Sequence, residues 1–289
     1  MQIENQPNGH TADELSEHAG YFPVSGAHLY TVLHAVEEPI ARVLLAGPFA
    51  SERHNSYLPW VRWARFLAAA NMEVLRYDYR GIGESTGEFE SMTFADWAED
   101  VRLLAAWLQQ RTPQVPLLLH GLGLGAVLAG RAFDEGLGDG LLLWSPPANA
   151  NQALRATLMR WVGLEQIFKF GDDRRSASDY IRELEQGAAL EVDGYRWSPQ
   201  LWRESFQFDL PAALANEADA GAAYKRPVKT IKLTREAAPL AKGGLVGYDD
   251  LKDFTWLFTP NREWLATAAS ESSASQASAS QCSKKVTYA

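Results

Sequence analysis

The stretch Leu117-Leu118-Leu119-His120-Gly121-Leu122-Gly123-Leu124-Gly125-Ala126 constrains this chain more than any other. An aliphatic run leads into alternating glycines and then into small residues, the pattern of a buried strand that turns sharply into a helix. Gly121 and Gly125 mark where the two backbones must pass close together. The spacing is that of G-x-S-x-G, a turn that holds a serine up at the end of a strand, and Gly123 stands in the serine's place. Glycine has no side chain that can attack, and it enters freely a backbone region that strains other residues. Taken alone, the run also fits a glycine-rich turn over phosphate, although the Lys-Ser/Thr of a P-loop and the later acidic residue of a dinucleotide fold are missing.

The flanking segments supply the context. Residues 1–19 are polar and read as a disordered arm. Tyr21–Ser25 and His28–Val36, separated by Gly26-Ala27, predict an antiparallel edge hairpin. Ala41–Ala46 predicts a strand ending in Gly47-Pro48-Phe49, and the stripe of Tyr57, Val61, Ala64 and Ala68 predicts a helix after it. Met72–Tyr77 predicts the next strand, and Thr93 with Asp96 a capping pair ahead of a helix that buries Phe94, Trp97, Val101, Leu104 and Leu108. Val115–Leu119, a helix over Gly123–Phe133 and a strand over Gly140–Ser145 continue the rhythm. Strands alternating with helices imply a mostly parallel twisted sheet covered on both faces. Ligands on such sheets sit beyond the carboxyl ends of the strands, where Gly47, Asp78 and Gly123 all fall.

From Ala148 to Lys225 helices replace the alternation, with Ala150–Phe168 and Ser176–Gln186 the clearest. Trp161, Trp197 and Trp202 in this region are expected to pack it onto the core, and Asp172-Asp173-Arg174-Arg175 to form a solvated loop. Val228–Leu233 resumes the sheet, Phe254–Phe258 is expected to be its last strand and Asn261–Ala269 a closing helix. The Ser-, Ala- and Gln-rich residues 270–289 are read as a disordered tail.

With 289 residues, 46% of them apolar, the chain can bury one full core plus an insertion. A formal charge of -9 and a pI near 5.2 argue against nucleic acid and anionic membranes as partners, leaving small molecules or proteins. The single cysteine, Cys282, excludes a disulfide framework and a thiolate metal cluster. No basic, apolar leader follows Met1 and no apolar run approaches the length of a membrane span, so a cytoplasmic location is expected.

Gly47-Pro48-Phe49 after one strand, Asp78-x-Arg80-Gly81-x-Gly83-x-Ser85 after the next and the glycine elbow after the third resemble the α/β-hydrolase superfamily, in its serine-aminopeptidase-like and esterase-like branch, over roughly residues 20–150. The resemblance implies an α/β-hydrolase fold with core segments 20–147 and 226–269 and a helical lid at 148–225. More narrowly, Gly47–Asn55, the Leu-Leu-Leu-Trp-Ser-Pro run and the segment Gly187–Pro199 resemble hydrolase-like proteins associated with bacterial exosortase A and exopolysaccharide gene clusters.

Serine hydrolysis on this fold needs a serine, an acid and a histidine in that chain order. Gly123 occupies the first position. No histidine occurs after His120, although one is needed near Thr259-Pro260-Asn261, and the only carboxylate near the acid position is Glu236, in Glu236-Ala237-Ala238-Pro239-Leu240. What remains is the oxyanion machinery: the N–H of Leu124 and one from Phe49 or Ala50, since Pro48 has none. These donors either bind a carbonyl or carboxylate or are satisfied by water and the loop. Alternative chemistry would fall to His54, Asp78 or Glu84, yet a loop histidine beside charges is more often simply exposed, and Asp78 with Arg80 more often shapes its loop. His120 reads as a core histidine bonded to backbone. No cofactor or metal is expected, because no His, Asp or Glu group has ligand spacing. The chain is therefore expected to be a non-catalytic binding or accessory protein, with an unconventional ester, thioester or amide hydrolase as the alternative.

Overall fold

The structure, a computed structural model, describes residues 16–49, 52–168, 175–215, 217–232 and 255–286. Its centre is a seven-stranded sheet built from β1 (Ser16–Val24), β2 (Ala27–Ala35), β3 (Ala41–Ala46), β4 (Met72–Tyr77), β5 (Leu117–Leu122), β6 (Gly140–Trp144) and, after an inserted segment, β9 (Val228–Ile231). The spatial order is β1-β2-β4-β3-β5-β6-β9. β1, β2 and β4 pair antiparallel, and every pairing from β4 through β3, β5 and β6 to β9 is parallel. β3, β5 and β6 are buried along their whole length, which explains why they read as unbroken aliphatic runs instead of alternating ones.

Helices cover both faces. α2 (Phe94–Arg111) and α3 (Leu124–Asp134) pack on one side in a core with Leu44, Leu119 and Leu143. α1 (Glu52–Ala68) and α8 (Thr255–Val286) close the other, over Val43, Leu118 and Leu142. The expected capping box at the head of α2 is present: Thr93 Oγ1 accepts from Asp96 N at 3.1 Å, and Asp96 Oδ2 accepts from Thr93 N at 2.8 Å.

The insertion carries α4 (Ala150–Phe168), α5 (Ala177–Glu185), the hairpin β7 (Leu190–Val192) and β8 (Tyr195–Trp197), α6 (Pro199–Ser205) and α7 (Glu217–Tyr224). Trp197 and Trp202 are almost fully buried in the same core as α2 and α3, and the Trp161 ring packs edge-on against Tyr180 with centroids 5.1 Å apart. Their role is packing the insertion down. Of the charged run, Arg175 pairs with Glu183 at 2.7 Å and lies over the Tyr180 ring; Asp172 to Arg174 lie outside the described residues.

Three readings change. β1 starts at Ser16, where Ser16 pairs with Ala35, so residues 16–19 belong to the sheet edge and not to the arm; they are exposed, held by backbone pairing, and leave no apolar signature. Thr255–Phe258 is the first turn of α8 and not a last strand. Leu257, Asn261, Leu265, Ala268 and Ser272 are buried at helical spacing, a pattern that a strand reading of five residues truncates. Residues 270–286, expected to be tail, continue that helix, and Ser272 Oγ donates to Ala268 O at 2.8 Å. Alanine is the best helix former, so a low-complexity composition of Ala, Ser and Gln does not by itself argue against helix.

Candidate functional site

The elbow is present with its geometry intact. Gly123 caps α3 with φ 58° and ψ -126°, a left-handed conformation that glycine adopts without strain, and its N–H donates to Trp144 O at 3.0 Å, extending the β5–β6 ladder. The flanking glycines are required by contact. A Cβ on Gly121 would lie 2.4 Å from Ala126 Cα, and one on Gly125 would lie 2.2 Å from Gly47 O and 2.3 Å from Ala46 O. The start of α3 is thereby pressed against the Gly47-Pro48-Phe49 loop, which brings Phe49 and the Leu124 N–H to the same end of the sheet. Phe49 itself is anchored: its ring meets Trp97 edge-on at 4.5 Å, and its carbonyl accepts from Glu52 N at 3.0 Å. Ala50 lies outside the described residues.

Sequence reasoning overlooked Glu52. It opens α1, and a Cβ added to Gly123 would come 3.0 Å from Glu52 Oε2, so a carboxyl group faces the position where a serine would stand. Protein packed around that carboxyl raises its pKa, an effect that Arg160 on α4 opposes. Glu52, Gly123, Leu124, Ser145, Gln152 and Lys232 are among the residues lining a cavity of about 550 Å³, whose remaining walls are mostly proline, alanine and leucine. Lys232 directly follows β9, the strand end at which an acid was sought. Nothing in the sequence distinguished Glu52, because an acidic residue in a helix's first turn is ordinary helix-dipole usage.

The other candidates are placed differently. Asp78 accepts a two-pronged bond from Arg53, Nε to Oδ1 and Nη2 to Oδ2 both at 2.8 Å, and a third from Glu84 N at 3.0 Å. Those bonds hold the loop after β4. Glu84 contributes that backbone N–H, and the residue itself is exposed. Arg80 is buried, donates to Asp100 Oδ1 at 2.7 Å and also reaches Ser25 O, Asp96 and Glu99. Asp100 is pushed up to about 6, mainly by burial, against the pull of Arg80. His54 falls within α1, and Glu236 lies outside the described residues.

His120 is fully buried, its Nδ1 bonded to Leu142 O at 2.9 Å, with the rings of Trp144, Trp60 and Trp63 at 4.6, 5.0 and 6.1 Å. Burial pushes its pKa down to about 3. His18, His28 and His34 belong to β1 and β2. Among the described residues no histidine lines the elbow cavity, no group of three His, Cys, Asp or Glu is placed to hold a metal ion, and no helix is long and apolar enough to cross a membrane.

Residues 54–169 match the serine aminopeptidase S33 family. Among solved structures, the DcsB complex with its substrate analogue aligns with a TM-score of 0.55 at 12% identity, over 90% of this chain and 100% of that one. The α/β hydrolase GrgF from Penicillium sp. sh18 aligns with a TM-score of 0.53 at 16% identity, over 89% of this chain and 100% of that one. XC6422 from Xanthomonas campestris, an a/b serine hydrolase without lid, aligns at 23% identity with a TM-score of 0.40; the match covers 49% of this chain and 65% of that one. No curated protein matches the chain. Sheet order, elbow geometry and these two structural matches converge: the chain has the α/β-hydrolase fold.

Proposed function

We propose that this protein takes an acyl or carboxylate compound into the elbow cavity and does not cleave it by the serine mechanism. The observation that carries the reading is the elbow itself: Gly123 replaces the nucleophile, and the group facing it is the carboxyl of Glu52 and not an imidazole. The absence of any histidine after His120 supports it. Loss of triad members costs about 10⁴ to 10⁶ in turnover, leaving what binding and backbone donors supply. The cavity of about 550 Å³ favours a ligand-binding role over a purely structural one, since it falls in the usual range of small-molecule sites.

The test is a panel of esters, thioesters and amides together with a fluorophosphonate probe. Turnover at background and no labelling are expected; labelling of the native protein would overturn the reading. A second reading, hydrolysis by a water that Glu52 activates, draws on the 3.0 Å separation, which is hydrogen-bond reach for an oxygen in that place. Turnover that Glu52→Gln abolishes would favour it. An accessory role in exopolysaccharide assembly, beside protein partners in the cytoplasm, is supported by the resemblance of residues 47–55 and 187–199 to exosortase-associated proteins and, for location, by the single cysteine.

A further inference from the structure

A second, much smaller cavity lies beneath the turn that follows β3, between α1 and the end of β4. It measures about 20 Å³, and Gly47, Trp60, Tyr77, Tyr79 and Ile82 are among its walls. Trp60 and Tyr77 are only 6% and 7% exposed. Among the described residues neither the Trp60 Nε1–H nor the Tyr77 hydroxyl has a hydrogen-bond partner. Folding takes from both groups the bonds that solvent gave them, and buried indole and phenol groups ordinarily recover one.

Three contacts bring these groups to one point. A Cβ on Gly47 would lie 3.2 Å from Trp60 Nε1, so the glycine leaves the N–H edge of the indole clear. Tyr79 donates its hydroxyl proton to Gly47 O at 3.1 Å, and its Oη keeps lone pairs that can accept. Tyr77 stands edge-on to Tyr79 with ring centroids 4.9 Å apart, and its pKa is raised first by burial and then by the Tyr79 phenol beside it. The two hydroxyls are thus neighbours without a direct hydrogen bond, the arrangement that a bridging water completes.

Two donors and one acceptor therefore face a cavity that has no room for an organic ligand. Water suits it, since a buried water makes about three hydrogen bonds and needs about 10–15 Å³. A small anion only accepts, and the Tyr79 lone pairs and the Asp78 carboxylate on the same walls act against it. We propose that one ordered water occupies this cavity, accepting from Trp60 Nε1 and Tyr77 Oη and donating to Tyr79 Oη. It is a structural ligand, separate from whatever enters the elbow cavity. It ties α1 and β4 to the Gly47 turn, against which the start of α3 is packed.

The test is a high-resolution crystal structure of the full-length protein, with a second crystal soaked in sodium bromide. The expected result is a single peak within hydrogen-bond distance, about 2.7–3.2 Å, of Trp60 Nε1 and Tyr77 Oη, with no anomalous bromide signal there. Well-defined side chains with no peak between them, or either group bonded directly to protein, overturn the proposal. A bromide peak overturns it too and makes the cavity a halide site. Urea unfolding gives an independent readout. Tyr77→Phe should raise the unfolding constant about fivefold, the worth of one hydrogen bond to the water. An unchanged or lowered constant overturns the proposal, because removing a hydroxyl that is buried without a partner is neutral or stabilising.

Discussion

His120 stands three residues before the elbow, and its placement makes a quantitative prediction that separates a core histidine from a catalytic one. The imidazole has an ordinary pKa of 6.5 and is pushed down to about 3 in the fold. Below pH 6.5 the unfolded chain takes up a proton that the native state refuses. His120 therefore supports full stability above pH 6.5 and withdraws it progressively as the pH falls toward 3. With those two values the loss is negligible at pH 7.5 and about 2 kcal/mol at pH 5. His120→Phe removes the titration and introduces a packing cost that does not depend on pH. Urea unfolding of both proteins at pH 7.5 and pH 5 gives four free energies, and their double difference cancels the packing cost. The variant should lose about 2 kcal/mol less than the parent between the two pH values. A double difference indistinguishable from zero would refute the reasoning, because it would mean that the ring titrates normally and is not sealed among Trp60, Trp63 and Trp144.

Three further outcomes are expected. Gly125→Ala should lower stability in urea by at least about 3 kcal/mol or prevent folding, because a methyl group there meets the carbonyls of Ala46 and Gly47 at 2.3 and 2.2 Å, backbone that cannot swing aside. Thr93→Ala should cost about 1 kcal/mol by the same assay, through loss of the capping box of α2. Gly123→Ser should fold with a loss of about 1–3 kcal/mol, the strain of a non-glycine residue at φ 58°, and should not be labelled by a fluorophosphonate at pH 7. Rapid labelling there would show that the Glu52 carboxyl can activate a hydroxyl without an imidazole.

How much of this was legible in the sequence follows from what each feature depends on. The elbow, the capping box and the buried parallel strands are local: spacing of glycines, a Thr and an Asp three residues apart, runs of leucine. Each was read correctly because the structure adds only confirmation by contact, as at Gly121 and Gly125. The Arg80 network was also anticipated in kind, since a buried guanidinium must find several acceptors. Errors fell where backbone pairing, not side-chain pattern, decides. Ser16–Ala19 joins the sheet without burying anything, and Thr255–Phe258 turns helical because its buried partners lie four and eight residues further on.

Glu52 was illegible for a different reason. Its significance depends on the distance between the first turn of α1 and the elbow of β5, elements some seventy positions apart that meet through the packing of Trp60 and Trp63 on His120 and the contact of the α3 start with the Gly47–Phe49 turn. No pattern in either segment encodes that distance. It also bears on why the elbow tolerates glycine. In a serine enzyme the turn's strain is offset by the chemistry it permits, whereas Gly123 adopts the same φ of 58° without strain, so the architecture persists without a nucleophile to maintain it. A glycine there also leaves room for the Glu52 carboxyl, whose Oε2 would lie only 3.0 Å from a Cβ at that position. Glycine and carboxylic acid are thus coupled positions. A larger side chain at 123 would crowd Glu52, and an apolar residue at 52 would remove the one acid among the described residues that line the cavity.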